Sequence, residues 1–155
     1  IYRYFPSKNR LLVDLMAEHL EALIGQWEVV RPVEADAVIR LRAFVAFHIR
    51  SHTLRRREAF VSNMELRSLE PADHRRVVGL RRRYEALLTG ILQDGIDAGE
   101  FQLPDAKVAT YAILALLTGV GSWYREGGRL NPRQLVDQYT QLVLQCAAVV
   151  TTEPA

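Results

Sequence analysis

Apolar residues recur along this chain at three- and four-residue steps, the period of one helix face, and no stretch alternates as a half-buried strand would. From Lys8 to about Val29, Leu11, Leu12, Leu15, Met16, His19, Leu20, Leu23 and Trp27 form one stripe, which predicts a helix ending before Arg31-Pro32. A second helix is expected from about Glu34 to Leu54, with Val38, Leu41, Phe44, Val45, His48 and Ile49 inward. The cations Arg55-Arg56-Arg57 then break the pattern, and a shorter helix is expected over about Glu58 to Ser68. Pro71 suits the first turn of a long helix carrying Val77, Val78, Leu80, Tyr84, Leu87, Leu88, Ile91 and Ile96 inward, with Gly99 as its stop.

The last two segments differ from the others. About Asp105 to Arg125 is apolar nearly all round and requires partners on several sides. About Pro132 to Val150 places Leu135, Tyr139, Leu142, Cys146 and Val149 at alternating steps of four and three, a two-helix seam, with Val136, Val143 and Val150 alongside. Gly127-Gly128 and Asn131-Pro132 supply the turn between them. The prediction is an all-α protein whose last two helices make a four-helix interface between two copies of the chain.

Composition changes this picture little. A chain of 155 residues buries roughly 70% of its surface on folding, and a net charge of +2 is too mild to argue nucleic-acid binding by itself. The single cysteine, Cys146, excludes an intrachain disulfide and fits a reducing, cytoplasmic setting. The apolar run from Val108 to Tyr124 is interrupted by Thr110, Thr118 and Ser122, so it reads as a buried helix and no membrane partner is expected.

Catalytic patterns are weak. His48 and His52 stand four apart, a spacing that can bind metal, but no nearby acid or cysteine completes a ligand set; a half-buried His48 and an exposed His52 are expected instead. Gly119-Val120-Gly121 has no preceding strand and fails as a dinucleotide loop, and Cys146 lacks the electropositive neighbourhood that activates a thiol. No metal or cofactor is expected. A ligand chamber is the stronger candidate. Phe44, Phe47, His48, Phe60, Asn63, Met64, Tyr84, Leu88, Tyr111, Leu114, Thr118, Ser122 and Trp123 lie on helices that should converge, and such a set suits a hydrophobic small molecule held by a few polar anchors. A helical-bundle enzyme or carrier acting on such a molecule is the alternative.

The chain opens on Ile1-Tyr2-Arg3-Tyr4-Phe5-Pro6-Ser7-Lys8-Asn9-Arg10, two tyrosines and three cations with no acid. Pro6 disfavours helix at Phe5 and Ser7 is a good N-cap, so one helix should end and another begin here. Tyrosine hydroxyls and a first-turn lysine suit phosphates. This stretch, followed by Leu11-Leu12, resembles the end of the DNA-reading domain of TetR-family transcriptional regulators. The resemblance implies that Tyr2, Tyr4 and Lys8 touch DNA phosphates, and that further helices precede Ile1 and are needed for operator binding. Residues 1–29 would then be the remainder of a helix-turn-helix domain plus its connecting helix, and residues 30–155 a ligand-binding and dimerisation domain. Glu65-Leu66-Arg67-Ser68-Leu69, Trp123-Tyr124-Arg125 and Gly128-Arg129-Leu130 look like segments of TetR-family repressors of actinobacterial lipid and steroid catabolism. That branch responds to acyl-CoA thioesters, which makes Arg67, Trp123, Arg125 and Arg129 candidate coenzyme A contacts. The family's dimers form through their last two helices, which implies Leu135, Tyr139, Leu142 and Cys146 at a homodimer interface.

Overall fold

The computed structural model describes residues 5–54, 66–67 and 69–149, with side chains from Lys8 onward. In order the helices are α1 (Phe5–Val30), α2 (Ala37–Leu54), α3 (Pro71–Asp97), α4 (Ala106–Thr118), the single turn α5 (Val120–Trp123) and α6 (Pro132–Cys146). Among the described residues the only β feature is an isolated antiparallel bridge between Phe101 and Val149. The fold is all-α. Of the helix expected over about Glu58 to Ser68, only Leu66 and Arg67 are described, and they lie outside any helix.

The stop and start signals explain most boundaries. Pro71 sits in the first turn of α3, where a missing N–H leaves no intrahelical bond unmade. Beyond α3 the chain reverses at Gly99 (φ +73°), a left-handed position that glycine takes without steric cost, while the Glu100 N–H returns to the Gly95 carbonyl at 2.8 Å. Asp105 caps α4 by accepting from the Lys107 and Val108 N–H groups. Asn131 and Gln134 form a reciprocal capping box on α6. One expectation fails at the start of the chain. The backbone is already helical at Phe5, so Ser7 lies inside α1 and is not its N-cap. A proline near a helix start loses no intrahelical bond, so Pro6 is tolerated within α1; whether another helix ends before Phe5 lies outside the described residues.

Helix α2 is the axis of the bundle, packed against α3, α4 and α6. Leu41, Phe44, Val45 and Ile49 are buried to within 1% exposure, and Phe44 meets Trp27 of α1 edge to face at 5.2 Å between ring centroids. The α2 N-terminus is held from two directions, by Asp36 accepting from the Ile39 N–H and by Glu100 accepting from the Ala37 N–H across 63 residues of sequence. Helix α1 lies along α3, tied there by the Arg76–Asp14 ion pair at 3.0 Å. Its inward set is Val13, Met16, Ala17, His19, Leu20, Leu23, Ile24 and Trp27, while Leu11 and Leu15 of the expected stripe face solvent.

The α4–α5 segment does not bury itself within one chain. Ala106, Thr110, Ile113, Leu117 and Val120 face the core, but Val108, Tyr111 and Trp123 are exposed. By length and composition Ala106–Trp123 is long and apolar enough to cross a membrane, and with 28% of it buried it is not the buried helix expected from sequence. Helix α6 also departs from its expected seam. Leu135 is fully buried against its own chain, whereas Leu142 and Cys146 are exposed and Tyr139 is half-buried. Each residue turns a helix by about 100°, so Val136, Val143 and Ala147 form a second stripe beside the seam, and it is this stripe that faces α2.

Candidate functional site

A cavity of about 200 Å³ opens where four helices meet: Leu20 and Leu23 come from α1, His48 and His52 from α2, Arg81, Tyr84 and Glu85 from α3, and Leu114 and Thr118 from α4. Its leucines come from α1 and α4, and its polar groups come mainly from α2 and α3. The spacing is that of neighbouring turns, since His48 and His52, like Arg81 and Tyr84 or Glu85, share a helix face.

The polar wall is a connected network. The Tyr84 hydroxyl lies 2.8 Å from His48 Nδ1, and among the described residues this is its hydrogen-bond partner. A buried phenol uses its one hydrogen, so Tyr84 donates and His48 carries its own proton on Nε2. Burial raises the Tyr84 phenol well above its ordinary value, which keeps the hydrogen in place. Burial, reinforced by His52 and His19, lowers the His48 imidazole well below its ordinary value, so the ring is neutral near pH 7. His48 Nε2 then faces the Thr118 hydroxyl at 3.5 Å, longer than the usual 2.7–3.2 Å of an N–H···O bond. His52 donates from Nδ1 to the His48 carbonyl at 2.9 Å and stacks on the His48 ring at 3.9 Å. Burial lowers the His52 imidazole too, partly offset by that backbone bond. His19 of α1 completes the histidine row, edge-on to His52 at 6.2 Å. At the rim, burial lowers the Arg81 guanidinium while neighbouring Glu85 opposes the shift. Among the described residues no group of three histidine, cysteine or acidic side chains could hold a metal ion.

Of the thirteen chamber candidates, His48, Tyr84, Leu114 and Thr118 line the cavity. Phe44 and Leu88 are fully buried core instead, and Phe47 lines an outer groove with Trp27 between α1 and α2. Tyr111 and Ser122 point outward from the α4–α5 segment. Phe60, Asn63 and Met64 lie outside the described residues. The sequence reading placed Leu20 and Leu23 on the α1 stripe but not in the chamber, and it missed His52, Arg81 and Glu85, because an exposed-looking histidine and an Arg81-Arg82-Arg83 run resemble a solvated face. The signal that could have found them is helical: His52 is one turn beyond His48, and Arg81 is one turn before Tyr84.

A second hollow, of about 250 Å³, is lined by Trp123, Tyr124, Arg125, Gly128, Arg129 and Leu130. It gathers three of the four candidate coenzyme A contacts. Arg67 lies apart from it, exposed in the segment before α3. Trp123 donates its indole N–H to the Tyr139 hydroxyl at 3.2 Å and lies nearly parallel to that ring. Lys8 is exposed on α1, while Tyr2 and Tyr4 lie outside the described residues.

With this geometry in hand, known proteins supply the context. The chain is 24% identical over 147 residues to the HTH-type transcriptional repressor KstR2 of Mycolicibacterium smegmatis, covering 93% of this chain and 71% of that protein. A tetR-family bacterial regulatory protein from Rhodococcus RHA1 superposes with a TM-score of 0.86 at 26% identity, covering 97% of this chain and 80% of the other. AibR, crystallised in complex with isovaleryl coenzyme A and operator DNA, shares the fold at 20% identity with a TM-score of 0.80, covering 96% and 80%. These relatives regulate transcription, which sets aside the helical-bundle enzyme or carrier. Residues 34–147 match the family described as tetracyclin repressor-like, C-terminal domain, and the chain belongs to the TetR family of transcriptional regulators.

Proposed function

We propose that this chain is a ligand-responsive repressor that binds operator DNA as a homodimer and is released from it by a hydrophobic effector, an acyl-CoA thioester. The observation that carries the reading is the pair of hollows served by one helical rod. Thr118 borders the chamber, whose Leu20, Leu23 and Leu114 side is apolar, and Trp123, five residues further on, borders a hollow with two arginines. An acyl group suits the first, while an adenine and phosphates suit the second, through stacking and charge-assisted pairing. The relative crystallised with isovaleryl coenzyme A supports the same chemistry.

Residues 1–29 serve as the end of the DNA-reading domain and its connecting helix, with Tyr2, Tyr4 and Lys8 against phosphates, and residues 30–155 bind ligand and dimerise. Two copies associate through the exposed side of α4–α5 and of α6, where Val108, Ala112, Ala115, Leu142 and Cys146 are uncovered in one chain. Leu135 drops out of that interface because its own core encloses it. The mechanism is a population shift. Paired heads of such dimers must match half-sites about 34–36 Å apart, and α1 carries Leu20 and Leu23 into the chamber wall. A ligand that favours another inclination of α1 weakens operator binding by its differential affinity for the two states.

Calorimetric titration of the purified protein with hexanoyl-CoA, hexanoate and coenzyme A alone tests the effector. Binding of the thioester alone is the expected result. Equal binding of the free acid would keep the chamber and remove the nucleotide contacts, and no heat from any of the three would overturn the acyl-CoA assignment.

A further inference from the structure

The chamber's most demanding atom is His48 Nε2. The ring is 2% exposed, its Nδ1 is committed to Tyr84, and among the described residues its Nε2–H has only a long contact to Thr118. A buried donor without a good acceptor is costly, because it has given up its hydrogen bond to water. The surrounding groups ask for no charge. Arg81 has Glu85 beside it at the rim, and His48, Tyr84 and Thr118 present neutral dipoles. Size adds the second constraint. At about 200 Å³ the cavity lies below the roughly 300–1,000 Å³ of pockets that enclose larger ligands, which favours a short acyl group.

We propose that His48 and Thr118 read the carbonyl oxygen of a short acyl thioester, and that the chamber favours short acyl groups over long ones. The oxygen sits between Nε2 and the Thr118 hydroxyl and accepts from both, while the acyl chain fills the space against Leu20, Leu23 and Leu114. Tyr84 is a positioning residue, because its donated hydrogen fixes the tautomer that turns Nε2–H toward the chamber. His52 and His19 flank the ring from α2 and α1: His52 stacks on it and bonds the backbone, and His19 meets His52 edge-on. This inference rests on the acyl-CoA reading above and narrows its ligand class.

The test uses three probes in calorimetry: hexanoyl-CoA, lauroyl-CoA, and S-hexyl-CoA, a thioether that lacks the carbonyl. Hexanoyl-CoA should bind about tenfold tighter than either of the others. Thr118→Val should remove a threefold or larger part of the advantage over the thioether, and Tyr84→Phe should shrink it by freeing the His48 tautomer. His48→Phe should abolish it, and the threonine variant keeps the test alive should that buried substitution fail to fold. Lauroyl-CoA binding as tightly as hexanoyl-CoA would overturn the size preference, and equal affinity for thioester and thioether would overturn the carbonyl reader; the acyl-CoA reading would survive both. Should none of the three bind, the N-acetylcysteamine thioesters of hexanoate and laurate decide. Preference for the shorter one keeps the chamber inference while the coenzyme A assignment falls, and silence from both overturns the two together.

Discussion

The two sides of the α4–α5 rod are almost equally apolar in sequence and opposite in fate. Thr110, Ile113, Leu117 and Val120 are buried against the bundle, while Val108, Ala112, Ala115 and Gly119, one helix face away, look outward. Composition cannot tell the sides apart; only the tertiary partner does. The inner side meets α2 and α3 of its own chain, and the outer side is one that the proposed dimer would cover. An apolar helix of this kind reports that partners exist and not how many belong to the same molecule.

Mutations on opposite sides should separate these roles. The largest effect is expected inside: Leu117→Ala deletes a fully buried side chain and should cost about 2–5 kcal/mol in denaturant unfolding. A stability loss below about 1 kcal/mol would mean the site is not close-packed. On the outside, Leu142→Arg should leave the fold intact by circular dichroism and yield monomers in sedimentation, since Leu142 is 46% exposed in a single chain. A persistent dimer would move the interface elsewhere.

Acidification should act on the inner side. His48 and His52 are held neutral in the folded protein, whereas the unfolded chain takes up protons below about pH 6.5. The unfolded state then binds more protons, so the stability present at pH 7 is lost progressively as pH falls from about 6.5 toward the lowered folded values. His48→Gln should flatten that slope in thermal melts, and an unchanged slope would assign it to other groups. The smallest expected effect is Asn131→Ala, which removes the side-chain half of the α6 capping box at a cost of about 1 kcal/mol, read from the urea midpoint.

Much of the fold was legible because it rests on local chemistry. Pro71, Gly99, Asp105 and Asn131 mark helix ends through their own backbone preferences or short-range hydrogen bonds, and of the periodic set of α2 all but the half-buried Val38 are buried. The chamber was legible only in part. His48, Tyr84, Leu114 and Thr118 belong to it, yet aromatic Phe44 became core and charged Arg81 became cavity wall. Those outcomes depend on crossing geometry between helices far apart in sequence, which no single-helix period encodes. Gly95 illustrates the same limit. Helically neutral by pattern, it is required because the Phe101 ring occupies the space a Cβ would take.

The contact between His48 and Thr118 joins groups 70 residues apart, and Leu20 lies further back still. The chamber is therefore assembled only when the bundle is. A molecule that fills it binds the native state and finds no counterpart in the unfolded chain, so its whole affinity is linked to stability, about 2.7 kcal/mol at a concentration one hundred times its Kd. The proposed effector would, by the same contacts, protect the protein from heat and from proteases.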